Sequence, residues 1–414
     1  VCRDVGGKPM LIVAAHGSIR LAVEDLSWIP DGQRDSEVDR RCLKEARTGF
    51  DLVHGPLARA RLYRLERERY LLALTVHQVV CDGWSIDLLS GELTAAYTAL
   101  AGGTSPVLPE LAIQLGDYLV WRDDHLTVPE TADQVRYWQK KLEGYRRFDV
   151  PPDRVPIARG TTTSDIIARA LPAAVTKKLS KVSGDLGGTM FAASASALAA
   201  TLWRQTGRRD VSFGIPLANR RRQELETLFG PTLNCAILTA HVEPGDTYAS
   251  LEARVRASLH EAIAHADVPL EVLGLRLGAA SLPDPPFSVM FTCQRAFAGP
   301  NTLVHNMNGA SLRTLPSKSQ GALHDLYIFL IERETGWRLS IEYKTDLFSE
   351  ARVKSILDDI EQSLAAFASD PTVDLSGRTA PDTTPAAAAP SAVSSNAATA
   401  RDAADGSVPP PPTT

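Results

Sequence analysis

The sequence predicts a mixed α/β protein over residues 1 to about 370, because runs with strand character and runs with helical spacing follow one another. The composition fits a globular core, since 44% of the 414 residues are hydrophobic and 22% are charged. Residues 379–414 differ, with no Leu, Ile, Phe, Met, Trp or Tyr. Such a segment buries too little apolar surface to offset its ordering entropy. We therefore interpret residues 372–414 as a disordered Ala/Pro/Thr-rich linker.

The first part of the chain predicts strands followed by helices. β-like runs occupy residues 9–15, 58–65 and 70–80. The charged turn at residues 66–69 between the last two runs predicts an antiparallel hairpin. Asp82 and Gly83 form a turn, and the residues after it recur at helical spacing as far as Gly102. A second helix is predicted at residues 131–142.

The proline-rich segment at residues 151–156 predicts a division into two lobes, residues 1–155 and 156–371. In the second lobe, helices are predicted at residues 173–186, 191–205, 248–265 and 349–367. Strands are predicted at residues 211–218 and 235–242 and in the runs FSVMFTC, LYIFLIE and WRLSIEYK. No repeat with a period of 20–50 residues is visible.

Charge and cysteine content exclude several classes of function. The net charge of −5 gives no basic surplus for nucleic acid or an anionic membrane. No apolar run approaches the roughly 18 residues that a membrane span needs, and no secretory signal is visible. The five cysteines have no CxxC spacing, so neither a disulfide framework nor a metal site is predicted. We expect a cytoplasmic, monomeric domain.

The most informative segment is LTVHQVVCDGWSID at residues 74–87. Within it, His77-Gln78-Val79-Val80-Cys81-Asp82-Gly83 resembles the motif HHxxxDG of condensation domains from nonribosomal peptide synthetases. These domains belong to the chloramphenicol-acetyltransferase-like acyltransferases. Five further segments resemble the family in the same order: GFDLVHGPLARARLYRL at 49–65, DYLVW at 117–121, GIPLANR with LFGPTLN at 214–234, HADVPLE at 265–271 and PPFSVMF at 285–291.

The resemblance implies two acetyltransferase-like lobes arranged as a V around a central tunnel. Donor and acceptor carrier proteins would deliver substrates on phosphopantetheine arms from opposite sides, and neighbouring synthetase domains would adjoin through the linker. The domain itself would hold no metal and no organic cofactor. The family's first segments, SxAQxRLW and RHExLRTxF, are not found before Val1, so the resemblance implies an N-terminally truncated domain.

Gln78 occupies the position of the family's catalytic histidine. An imidazole exchanges a proton near neutral pH, whereas a primary amide offers only hydrogen-bond donors and an acceptor. Loss of a general base typically slows a reaction about 10²–10⁴-fold. His77 could act instead, or it could be a structural histidine. Adjacent residues of a strand face opposite sides, which favours the structural interpretation if Gln78 faces the tunnel.

The resemblance also assigns roles to other residues. Asp82 would form a structural ion pair with Arg220, although Arg220 could instead be a solvated member of a run of three arginines. Gly83 would permit an unusual backbone conformation at the turn. Trp84, Asn234 and Gln294 are candidates for lining the tunnel. Cys81 follows two valines and is interpreted as a packed side chain rather than a nucleophile.

Two functions of different classes follow, and the sequence leaves open whether the chain is an enzyme. The first is amide-bond, or ester-bond, formation between carrier-bound acyl groups, with the acceptor attacking the donor thioester. The second is a catalytically silent module that binds a carrier protein and recruits a tailoring enzyme, which Gln78 favours. An inactive remnant and a free-standing acyltransferase that uses coenzyme A are further alternatives.

Overall fold

The computed structural model describes residues 1–14, 16–155, 163–277, 282, 285–295, 304–315, 321–333 and 336–375, which belong to one compact unit. The strands are β1 (Cys2–Val5), β2 (Lys8–Leu11), β3 (Leu21–Asp25), β4 (Ala58–Arg64), β5 (Tyr70–Val76), β6 (Ser164–Ala170), β7 (Asp210–Leu217), β8 (Asn234–His241), β9 (Val289–Arg295), β10 (Val304–Met307), β11 (Ala310–Arg313), β12 (Leu326–Arg333) and β13 (Gly336–Lys344). The helices are α1 (Asp31–Arg47), α2 (Gly83–Ala101), α3 (Leu115–His125), α4 (Pro129–Lys141), α5 (Ala173–Asp185), α6 (Met190–Thr206), α7 (Gln223–Glu226), α8 (Tyr248–Ala264), α9 (Leu270–Leu277) and α10 (Glu350–Ser369).

The larger sheet has six strands in the order β6-β13-β12-β9-β7-β8. Adjacent strands in this sheet are antiparallel, except that β9 pairs in parallel with both β12 and β7. Along β12, buried Leu326, Ile328 and Leu330 alternate with half-buried residues that point to the opposite face. Helices α5, α6, α8 and α10 pack on the buried side with the main hydrophobic core. The opposite face of the sheet is left to line a cavity.

The smaller sheet has the order β3-β4-β5, with β3 parallel and β5 antiparallel to β4. The predicted hairpin at residues 58–80 is therefore confirmed. Helix α1, which the periodicity did not predict, covers this sheet with few apolar residues, Val38 among them. Its buried Glu45 instead accepts hydrogen bonds from Arg59 and Arg61 on β4. These ion pairs between Glu45 and β4 hold α1 against the smaller sheet, because the helix has only a short hydrophobic stripe.

Most of the predicted elements are confirmed, with differences at their ends. The strand predicted at residues 70–80 ends at Val76, because the chain turns immediately afterwards. The strand predicted at residues 9–15 extends only to Leu11. Strand β6 was not predicted; it lies at the edge of the larger sheet and has no clean apolar alternation.

The core of the larger sheet includes residues on both sides of the predicted boundary at residue 155, and packed residues extend past 372. Trp138, Leu142 and Phe148, which precede the predicted division at residue 155, are buried in the core of the larger sheet. At the start of the linker predicted at residues 372–414, Leu375 is buried and its N–H donates to the carbonyl of Asp246. The rest of the predicted linker lies outside the described residues. No single described helix is long and apolar enough to cross a membrane. Helices α5 and α6 reach the required length and apolar character only when taken together, and the chain bends by 104° between them.

Candidate functional site

The motif at residues 77–83 forms a turn between β5 and α2. The N–H of His77 donates to the carbonyl of Leu57, and the N–H of Val80 donates to the carbonyl of His77 at 3.1 Å. His77 and Gln78 therefore lie beyond the end of β5. Strand alternation, which we expected to separate their side chains, does not apply here, and the turn itself sets their directions.

The two side chains at the start of this turn have different surroundings. Gln78 is exposed and lines a large cavity. The His77 Nδ1 accepts a hydrogen bond from the Val79 N–H at 3.1 Å, and its ring packs edge-on against Phe50 with 5.7 Å between centroids. The geometry favours the structural interpretation of His77, whereas Gln78 faces the cavity.

Asp82 is the N-cap of α2 and is almost fully buried. One carboxylate oxygen accepts from the N–H and the hydroxyl of Ser85, at 2.9 and 2.7 Å. The other accepts from the N–H of Thr232 at 3.2 Å. Such a cap satisfies N–H groups that a helix leaves without partners at its start.

Arg220, in the segment after β7, completes this cluster. Its Nη2 lies 3.1 Å from Asp82 Oδ1, and the two side chains are 2% and 3% exposed. Arg220 also donates to the carbonyls of Leu225, Leu228 and Gly230. Burial opposes ionisation of Asp82, but hydrogen bonds from Ser85 and the charge of Arg220 outweigh it and keep the pKa of Asp82 below its usual value. Asp82 is thus held as a carboxylate with no capacity left for a substrate.

Gly83 and Trp84 follow at the first turn of α2, and both line the cavity. Gly83 is helical and is not among the glycines with positive φ, so the expected unusual backbone conformation is wrong. The absence of a side chain there instead widens the cavity. The Trp84 indole N–H donates to the carbonyl of Glu226 at 2.8 Å, and its ring lies 5.6 Å from the Arg220 guanidinium.

The cavity has a volume of about 1560 Å³ and is mostly apolar. One wall is the turn at Gln78 together with a face of α2, and the other is the open face of the larger sheet. The sheet contributes residues from five adjacent strands: Ile166 and Ala168 on β6, Arg338, Ser340 and Glu342 on β13, Tyr327, Phe329, Ile331 and Arg333 on β12, Thr292 and Gln294 on β9, and Pro216 and Leu217 at the end of β7. Sequence reasoning missed most of these, because β12 is apolar on both faces and its alternation is hidden.

The structure separates the two predicted amide candidates. Gln294 is half-buried on β9 and lines the cavity. The prediction for Asn234 is wrong, because its side chain is buried at the start of β8. Its Nδ2 donates to the carbonyls of Ala266 and Val268, and its Oδ1 accepts from the N–H of Leu270 at 3.2 Å. Asn234 thus ties β8 to the segment before α9.

Two further groups near the motif differ in their ionisation. Cys81 is buried, and burial raises the pKa of its thiol to about 11, which fits a packed side chain. Asp87 is half-buried on α2 and lines the cavity, and burial raises the pKa of its carboxyl to about 7. Sequence reasoning did not single out Asp87, because an acidic residue in the first turns of a helix is common and gives no signal by itself.

Comparison with known proteins agrees with this architecture. A family model described as "Condensation domain" matches residues 1–387. One of the linear gramicidin synthase proteins of Brevibacillus parabrevis is 31% identical over 373 residues, which are 89% of this chain and 5% of that protein. Phosphinothricin tripeptide synthetase PhsC from Streptomyces viridochromogenes is 33% identical over 376 residues, 88% of this chain and 34% of that protein. The chain therefore belongs to the condensation-domain family of nonribosomal peptide synthetases, and it spans only a small part of these relatives.

Solved structures share the fold. The X-domain from teicoplanin biosynthesis superposes with a TM-score of 0.78 at 23% identity, covering 91% of this chain and 84% of that one. The first condensation domain of the calcium-dependent antibiotic synthetase, in complex with a substrate analogue, gives a TM-score of 0.73 at 23% identity, covering 87% and 80%. The predicted α/β fold of the acetyltransferase-like type is thus confirmed.

Proposed function

We propose that this domain catalyses amide-bond formation between two substrates carried on phosphopantetheine. The amine of the acceptor attacks the thioester of the donor inside the cavity between α2 and the larger sheet. The observation that carries the proposal is the position of Gln78. It opens into that cavity beside a turn that Asp82 and Arg220 fix in place.

In this proposal Gln78 orients the reactants and does not exchange a proton. Its amide offers two N–H donors and one carbonyl acceptor, which suit an amine and a thioester carbonyl. Among the described residues, none forms a hydrogen bond with the Gln78 side chain, so these groups are available to a substrate. Positioning alone supplies a large part of many enzymatic rate accelerations.

The substrates and partners follow from the same proposal. Donor and acceptor carrier proteins bring their phosphopantetheine arms into the cavity, and the domain acts in the cytoplasm as part of a larger synthetase. Most of the cavity is apolar, which fits uncharged pantetheine arms and peptidyl chains. The domain supplies no metal or organic cofactor of its own.

The test uses the domain in its full-length natural protein, with loaded donor and acceptor carriers and product detected by mass spectrometry. The wild type is expected to form the amide, and Gln78→Ala to form it at least about tenfold more slowly. Gln33→Ala, an exposed change of the same kind on α1, serves as the matched control and keeps the wild-type rate. Absence of product with the wild type would overturn the proposal.

A second candidate is a silent module that binds a carrier protein and recruits a tailoring enzyme. Gln78 favours it, because the family's catalytic imidazole is replaced by a group that cannot take a proton. A solved complex pairs the teicoplanin X-domain with OxyB, and that X-domain shares this fold. Titration of this domain with the tailoring enzymes of its pathway tests the candidate, which predicts binding together with no amide product.

A further inference from the structure

Asp87 lies on a stripe of α2 that faces the cavity. Gly83, Asp87, Gly91 and Ala95 are spaced by four residues, so their positions follow one another along one side of the helix, and all four line the cavity. Gly91 has open space within 4 Å of where a Cβ would stand. The other three positions of this stripe are glycine or alanine, so Asp87 is its one polar side chain, one turn beyond the start of α2.

The carboxyl of Asp87 has no partner among the described residues. No hydrogen bond or ion pair involves it, although the cavity is lined by several charged groups. The carboxylates are Glu92 on α2, Glu226 on α7 and Glu342 on β13, in addition to the capping Asp82. The basic groups are Arg256 and His260 on α8, His305 on β10, Arg333 on β12 and Arg338 on β13. Burial is the cause that raises the pKa of Asp87 to about 7, and none of these charges contributes.

The other polar groups of the motif cannot take a proton from a substrate. Gln78 is an amide, and the lone pairs of Asp82 are occupied by Ser85, Arg220 and Thr232. His77 turns toward Phe50. A general base works best when its pKa lies near the working pH, and it reaches its target directly or through one water.

We propose that Asp87 is the proton acceptor for the acceptor amine, replacing the imidazole that this chain lacks at Gln78. The inference rests on the proposed function. The amine nitrogen forms a bond to the thioester carbonyl carbon, and the carbonyl becomes an oxyanion. One N–H proton passes to the Asp87 carboxylate. The oxyanion then collapses, the C–S bond breaks, and the departing thiolate takes the proton back from Asp87. The products are an amide and a free pantetheine thiol.

The test compares single-turnover rates of the wild type and Asp87→Asn between about pH 5.5 and 8.5, in the natural protein with loaded carriers. The ratio of the two rates cancels the titration of the substrate amine. We expect the ratio to rise with pH to about 10²-fold or more. Asp123→Asn, the same change at an exposed site on α3, is the matched control with a ratio near one. Asp87→Glu keeps the carboxyl group and should retain the pH dependence that Asp87→Asn loses.

Each outcome decides the inference. A ratio that rises through neutral pH supports Asp87 as the base. A ratio that stays constant with pH, at any value, overturns it and leaves the proposed function standing, because the carboxylate then contributes only shape. If Asp87→Asn fails to fold, the Asp87→Glu variant decides. The inference is overturned if the rate of that variant lacks the pH dependence of the wild-type rate. A wild type without product contradicts both the inference and the proposed function.

Discussion

Arg220 donates hydrogen bonds from Nη2 to both carboxylate oxygens of Asp82, at 3.1 and 3.2 Å, across 138 positions of sequence. This contact joins the start of α2 to the segment after β7. A buried ion pair of this kind contributes little more to stability than well-packed apolar side chains would. Removal of one partner, however, leaves an uncompensated buried charge. The pair therefore fixes the position of the turn that carries Gln78.

Arg220→Ala is expected to destabilise the domain by about 3–5 kcal/mol, because Asp82 then stays buried without its counter-charge. Arg220→Lys should recover only part of this, since a single ammonium cannot reach Asp82 and three carbonyls together. The measurement is the free energy of unfolding in urea. Arg221→Ala is the control, because that neighbouring side chain is 45% exposed, and it should cost about 1 kcal/mol or less. A loss below about 1 kcal/mol for Arg220→Ala would contradict the role of the pair.

Gly230 accepts a hydrogen bond from Arg220 with φ at +146°, a backbone conformation that residues with a side chain rarely adopt. A Cβ there would also stand 2.7 Å from Leu115 Cδ1. Gly230→Ala is expected to lower stability by about 1–3 kcal/mol, measured by thermal unfolding. Gly245→Ala, at a positive φ with open space around it, should cost less. Equal losses at the two positions would show that the contact with Leu115 adds nothing.

Glu252 on α8 is fully buried, and neither carboxylate oxygen has a hydrogen-bond partner in the part of the chain that the structure describes. Burial raises its pKa, and Arg256, 3.8 Å away, only partly opposes this. Because the folded pKa lies above the unfolded one, the folded state binds more protons, and stability should fall as pH rises above about 4.5. Glu252→Gln should gain stability relative to the wild type as pH increases, measured by urea unfolding at several pH values. The exposed change Glu143→Gln should show no such trend. A constant difference between Glu252→Gln and wild type would refute the assignment.

Asn234 and Gln294 should behave differently although both carry amides. Asn234→Ala removes a buried side chain that serves several backbone groups, and about 2–4 kcal/mol of stability should be lost. Gln294→Ala removes a group that faces the cavity, so stability should change by less than about 1 kcal/mol while the condensation rate changes. Urea unfolding and the carrier assay on both variants check this. The reverse pattern would place Asn234, not Gln294, at the reactants.

The sequence predicted the parts of the site that lie within contiguous motifs. HQVVCDG and GIPLANR resemble family segments, and this resemblance paired Asp82 with Arg220. Asn234 was misplaced, because a motif names a residue and does not tell whether its side chain points to the core or to the cavity. Asp87 and the side chains of β12 were missed, because their significance comes from burial and from the face that they share, which no local pattern records. Helix α1 was missed for a related reason, since Glu45 finds its partners on β4 only after folding.

The most direct measurement compares the natural domain with Gln78→His in a single-turnover condensation assay with loaded carriers. Both forms are expected to make the amide, with rates within about tenfold of each other, because in the proposed function Gln78 orients the reactants and does not take the proton. Product from Gln78→His alone would contradict this account. It would show that the cavity can support condensation and that the natural domain is inactive because it lacks an imidazole at position 78.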